Sequence, residues 1–539
     1  MKIKHTLGML ATMVALLGAM NCSANTYTFN VASGVWNNAA NWSPSSGYPG
    51  SADTAIIPTG DSITGLGGSS QACTTLTIQG AGSLTVDANT LTVSGVTTIG
   101  SSGGTGARLM ISSGATFAET DTASGAYGFA GTTPSIVNNG TFTCAGGASY
   151  STGSFGNNGT TTYTGSQQAF NGTIAVTQGA NATLNLNSSS STPFGGNCTL
   201  TATATGNTVV YSTGQNAIGT TYYNLTFTGA SPSAGSSTHV TGTLTIALTS
   251  SAQVNSAGNI TLASSANIVR TSGKLNGTPV FSGTVNVTYG GSLSITTASE
   301  LPTSASALNN LTITNTAGVI LNANATVNGA FSAIYNGSTV PLAVGSKTLA
   351  FVNSPVNITV SGSALTAGDA YTIVSSSGTT VSGYPGTVTV TGSGAPYSSP
   401  TASTSTGQLV LTIPNCTATT AAPSITAPIY AGSTTISGTS ASGASIVVYD
   451  LTSTTQIGTA TASGTSWTAS VTALTAGDSI AATAQTTGEC ASPASASVTV
   501  QSVTVTNTLS LLPVANTNIN AGTYLIIPSK VLTNGVPAN

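Results

Sequence analysis

The stretch TTLTIQGAGSLTVDANTLTVSGVTTIG, Thr74 to Gly100, constrains the fold more than any other part of the chain. It places apolar residues two apart in short bursts, Leu76 with Ile78, Leu84 with Val86 and Leu91 with Val93, and the pattern continues beyond it in Leu109 with Ile111. Residues two apart on an extended chain point to the same side of a strand, and the Gly, Ser, Asn and Asp between bursts supply turns. Strands this short cannot bury a face alone. Three of them per ~20–25 residues, each rung stacked ~4.8 Å above the last, make a right-handed parallel β-helix, or β-solenoid.

The phrase returns as NATLNLNSS from Asn181, GTLTIALTSSAQVNSAGNITL from Gly242 and VILNANATVNGAF from Val319. Longer echoes support true repetition, such as YYNLTFTGAS from Tyr222 against LNNLTITNTAG from Leu308. No helical period is present in this region. The expected core is thin, filled by Val, Ile, Leu, Ala and Cys, with Thr and Ser on the wet outer side of each strand. The solenoid is expected over residues 61–345.

At the N-terminus Lys2 and Lys4 precede an apolar run, Leu7 to Ala19, and then Cys22-Ser23-Ala24. Residues 1–24 read as an export signal cleaved after Ala24, with acylation of Cys22 as the alternative; the run is short for a bilayer span. Seven Lys and Arg stand against ten Asp and Glu in 539 residues. So few charges exclude a basic nucleic-acid footprint and a polybasic membrane patch, and they remove the repulsion that opposes self-association. Beyond the signal region, Cys73, Cys144, Cys198, Cys416 and Cys490 remain, with no zinc spacing. In an exported chain Cys416 and Cys490, which flank one domain-sized segment, are the expected disulfide.

A solenoid needs covered ends, because the first rung exposes unpaired backbone and an open core. GVWNNAANWSPSSGYPGSADTAII, Gly34 to Ile57, lies where that cover is required. Trp36 and Trp42 fit either a cap over the first rung, assigned to residues 25–60, or an exposed platform for a sugar ring. The segment resembles the opening of secreted β-helical proteins of the autotransporter-adhesin type, through Trp36, Asn41, Trp42, Pro49, Gly50, Asp53, Ala55 and Ile57. The resemblance implies a structural Asp53 before a strand at Thr54–Ile57, and a place on the outside of a Gram-negative cell. Residues 346–415 read as terminal rungs and a C-terminal cap, including the LTAGD turn at Leu365–Asp369, and residues 416–422 as a linker.

Residues 423–501 show strand alternation, as in Ile446/Val448 and Trp467/Ala469/Val471, with turns every ~8–12 residues. This is the pattern of a β-sandwich, and it resembles bacterial Ig-like domains through ISGTSASGASIVVYD, IGTATASGTSWTASV and LTAGDSIAATA. Trp467 is expected in its core. Residues 502–539 have strand character and are too few for a domain; an incomplete module or a strand donated to another subunit are the two readings.

For catalysis, Glu119 and Asp121 are the one close carboxylate pair: in an extended stretch they share a strand face, with Arg108 across the sheet, and the alternative is a solvated pair at a turn. His239, the single histidine beyond the signal region, falls in a Ser/Thr-rich turn. No nucleophile elbow, metalloprotease or phosphate-loop motif occurs, so an enzyme is not expected. No cofactor is expected either; calcium at Asp450, Asp478 or Glu489 would lack a carboxylate cluster. The expected function is adhesion or structure at the cell surface, with glycans, surfaces or further copies of the chain as partners. A fibre subunit, a polysaccharide-degrading enzyme and an ice-binding protein are the alternatives. Ice binding needs strict register of Thr rows, and the spacing of the TxT repeats wanders along the chain.

Overall fold

The computed structural model describes residues 24–503 except 150, 213, 250, 363–364, 379, 393–399, 415–417 and 454, together with 532–533 and 536–537. The export signal up to residue 23, Cys416 and most of the 502–539 segment therefore lie outside the described residues. The chain forms two compact units. One comprises Met1–Ile334, Thr339–Val356 and Val374–Thr387, the other Tyr335–Ser338, Asn357–Ile373 and Val388–Asn539.

The first unit is built from three faces of parallel strands. One face stacks Thr26–Phe29, Thr54–Ile57, Thr75–Ile78, Thr97–Thr105, Ser124–Thr132 and Gly147–Ser149. A second stacks Ser33–Val35, Ser62–Gly65, Ser83–Val86 and Arg108–Ile111, and continues to Thr199–Thr201. The third is the most continuous, running from Gln71–Cys73 through Thr90–Val93 and Thr116–Glu119 as far as Phe331–Tyr335. The apolar bursts do what their spacing requires: in Thr75–Ile78, Ser83–Val86 and Thr90–Val93 every second residue is buried. Short strands hold because each backbone edge is paired above and below, which leaves a rung few unpaired groups. Parallel pairing continues beyond residue 345, where Leu342 and Ala343 pair with Val374 and Ser375, and Leu349–Val352 with Val381–Tyr384.

The core is wider in its contents than the aliphatic composition of the repeats implies. Between Phe117 and Phe194 it is a column of rings: Phe117 stacks on Phe142 at 5.6 Å, and Phe170 on Phe194 at 5.2 Å. Edge-to-face contacts link Phe142 to Phe155 and Phe155 to Phe170, both at 5.3 Å. Tyr127 and Tyr163 join this column fully buried, with their hydroxyls 2.7 Å apart and that of Tyr127 donating to the Ala169 carbonyl at 2.6 Å. Aromatic rings fit a thin core when their polar tips find partners.

In the second unit, Thr401–Ser403 pairs antiparallel with Leu409–Thr412. Beyond it lies a two-sheet arrangement. Ser424–Ile425, Thr435–Thr439 and Ser466–Ser470 form one sheet, and Ile429–Tyr430, Val498–Gln501, Ser479–Gln485, Ser445–Asp450 and Thr455–Thr461 the other, mixed sheet. Ile436, Ile446, Val448, Trp467, Ala469 and Ile480 fill the space between them. Trp467 is thus a core residue, although its indole N–H has no hydrogen-bond partner among the described residues.

Candidate binding face

The N-terminal tryptophans are interior residues. Trp36 and Trp42 are both 0 % exposed and meet edge-to-face at 5.2 Å, with Phe29 against Trp42 at the same distance. Their N–H groups are satisfied internally, Trp42 by the Trp36 carbonyl at 2.7 Å and Trp36 by the Pro49 carbonyl at 3.3 Å. Trp42–Ser43 also pairs antiparallel with Thr26–Phe29, covering the outer edge of the first rung. The sugar-platform reading of these rings is corrected by this burial, for neither offers a face to a ligand. Asp53 holds the following turn, accepting from the backbone N–H groups of Asn25 and Gly50, both at 2.8 Å. At Gly67, with φ +82°, an added Cβ would fall 1.8 Å from the Asn37 side chain, whose amide donates to the Gly67 carbonyl.

The structure separates Glu119 from Asp121. Glu119 ends a strand with its side chain turned inward, 1 % exposed, while Asp121 lies beyond the strand end. They neither share a strand face nor form a solvated pair at a turn, since Glu119 is buried in the strand and Asp121 lies outside it. The cause is register: Glu119 pairs with Val93 below and Cys144 above, both core positions. Thr97 donates to its Oε2 at 2.5 Å and the Asp121 backbone N–H to its Oε1 at 3.2 Å. Burial pushes its carboxyl up to about 8, against the lowering effect of these hydrogen bonds. Arg108 instead points outward on the second face, its guanidinium near the Met110 sulfur at 3.7 Å. His239 stands exposed in the strand Thr238–Val240, not in a turn.

A second inward-turned ionic group escaped the sequence reading. Arg270 is buried in the same core column of the third face, and it pairs with Glu300, which is 0 % exposed. Tyr289 donates to Glu300 Oε1 at 3.0 Å and the Ala298 backbone N–H at 2.8 Å. Thirty residues separate Arg270 from Glu300, and no local spacing announces the pair.

Cys73, Cys144 and Cys198 are buried free thiols. Burial pushes the Cys73 thiol up to about 12 and raises Cys144 further. Cys490 is disulfide-bonded, while its expected partner Cys416 lies outside the described residues. Of the carboxylates considered for calcium, Asp450 and Asp478 serve local turns, whereas Glu489 accepts from a residue distant in sequence. Asp450 accepts from the Ser453 hydroxyl at 2.6 Å, Asp478 from the Thr475 N–H at 2.8 Å, and Glu489 from the Thr420 hydroxyl at 2.8 Å. The Ser453 hydroxyl holds the Asp450 carboxyl below its usual range.

The feature most suited to binding is the outer side of the third face. Register pairing aligns Thr90, Thr116, Thr141, Thr160, Thr183 and Thr208 in one column, which continues through Asn224. Two residues along each strand runs a parallel column: Thr92, Ala118, Thr143, Thr162, Asn185, Val210, Thr226 and Thr245. No register shift interrupts the sheet between Thr90–Val93 and Thr243–Leu248. The column spacing in sequence varies from 16 residues, Thr208 to Asn224, to 26, Thr90 to Thr116, because the turns absorb the difference. The wandering phase read from the sequence is thus confined to the turns, and the rows on this face are in register. Further along, amides join the rows: Asn185 donates to Thr162 Oγ1 at 3.2 Å, and Asn309 and Asn310 to Asn286 Oδ1 at 3.0 and 2.9 Å. The arrangement is a two-column grid of hydroxyls, amides and methyls with no charge in either column.

No known family matches the chain, and no curated protein matches it. Among solved structures it is similar to one described as "Biofilm associated protein - BSP domain", at 30 % identity and a TM-score of 0.15. That match covers 18 % of this chain and 17 % of the other, a distant and partial likeness.

Proposed function

We propose that this chain is a non-catalytic, surface-displayed binding protein that holds extended ligands, polysaccharides or the surfaces of cells, against the third face of its solenoid. The observation that supports this reading is the two-column polar grid in unbroken register. Each hydroxyl or amide contributes little alone, but contacts repeated at one rung spacing add up along a ligand with its own repeat. The scarcity of charge, 3 % of residues, means that little ion-pair desolvation opposes such contact.

The test is retention of the purified chain on a panel of immobilised neutral polysaccharides, compared with Thr143→Tyr/Thr162→Tyr. The two rings would break the grid at its middle without entering the core. Retention is expected to fall by about ten-fold or more; unchanged retention overturns the reading. The same register favours one second reading, contact with the ordered lattice of ice. Slowed ice growth by the native chain and none by the double variant would support it over glycan binding.

A further inference from the structure

Beyond Thr199–Thr201 the second face is carried by separate, shorter sheets. Its strands run through Thr221–Tyr222, Thr238–Val240 and Ile260–Leu262 to Val280–Phe281, and the next strand of the three-stranded sheet that follows is Ala325–Val327. In between, the chain from Thr297 to Ala307 passes as a loop with no strand. A groove of about 420 Å³ opens there, walled by the loop on one side and the Lys274–Phe281 stretch on the other.

The loop is fixed from beneath and from the side. Glu300, buried within it, is held by Arg270, by the Tyr289 hydroxyl and by the Ala298 N–H, and Ser299 donates to the Gly277 carbonyl at 2.7 Å. These contacts tie the loop to Arg270, Tyr289 and Gly277. The groove is consequently a built feature, of a size that takes a small ligand. Lys274, which is exposed, Gln253, Asn322, Thr303 and Phe281 are among its lining residues. Glu300 is turned under the loop, and no carboxylate lines the groove.

We infer that this groove binds a sugar residue bearing a carboxylate, with Lys274 pairing to the acid, the amides meeting hydroxyls and Phe281 lying against the ring. A cation alone would take any anion; the amides and the aromatic ring select a polyhydroxylated one. The inference stands apart from the third face, since none of the groove residues belongs to its two columns.

The experiment is calorimetric titration of the purified full chain with trigalacturonate, galactotriose and triglutamate. Trigalacturonate is expected to bind and to weaken with added salt, with the other two much weaker. Lys274→Gln, an exposed change that leaves the circular dichroism spectrum unaltered, should weaken trigalacturonate about five- to ten-fold. Thr143→Tyr/Thr162→Tyr should leave it unchanged, which separates this site from the third face. No binding of trigalacturonate, equal binding of galactotriose or triglutamate in the Thr143→Tyr/Thr162→Tyr background, or full affinity in Lys274→Gln overturns the inference.

Discussion

Glu119 carries a pH dependence that its place in the core dictates. Its folded carboxyl is raised from 4.5 to about 8, chiefly by desolvation, so folding favours the protonated form. Its contribution to stability is complete below about 4.5 and is lost as pH climbs to about 8. Over that window stability should fall by up to ~1.4 kcal/mol per pH unit from this group. Glu119→Gln should flatten the dependence, measured as urea unfolding midpoints at pH 4.5, 6 and 8; an unchanged slope would place the titration elsewhere. The thiols of Cys73 and Cys144 make a related prediction. Buried and pushed upward, they should resist a disulfide reagent at pH 8 in the folded chain and react fully after denaturation.

At the scale of elements, the cap makes the sharpest prediction. Trp42 joins Phe29, Trp36 and the first strand in one buried cluster, so Trp42→Ala should cost about 3–5 kcal/mol. A loss below ~1 kcal/mol in denaturant unfolding would mean that the ring does not close the solenoid. The strands themselves were legible because a two-residue period needs only local sequence: Leu76, Ile78, Leu84, Val86, Leu91, Val93, Leu109 and Ile111 are all fully buried. What lies across rungs was not. Whether Glu119 faces Cys144, or Arg270 reaches Glu300, depends on turn lengths that set which rung meets which. The Thr columns were hidden for the same reason, since turns of unequal length make an in-register face look irregular in one dimension. Trp467 was legible as core from strand alternation alone, and the aromatic column from Phe117 to Phe194 was not, because its members are drawn from all three faces and the turns between them.

For the molecule as a whole, the proposed function, the continuity of the core and the unbroken outer grid all depend on rungs of the first unit stacking one strand spacing apart along the third face. Thr92 and Thr245 lie in one outward column, seven in-register pairings apart. At ~4.8 Å per pairing, nitroxide labels at these two positions should lie ~34 Å apart. Pulsed dipolar spectroscopy on the doubly labelled chain measures this separation directly. A narrow distribution centred near ~34 Å is the predicted result; a peak below ~25 Å, or a broad spread without one, would contradict the stacked register.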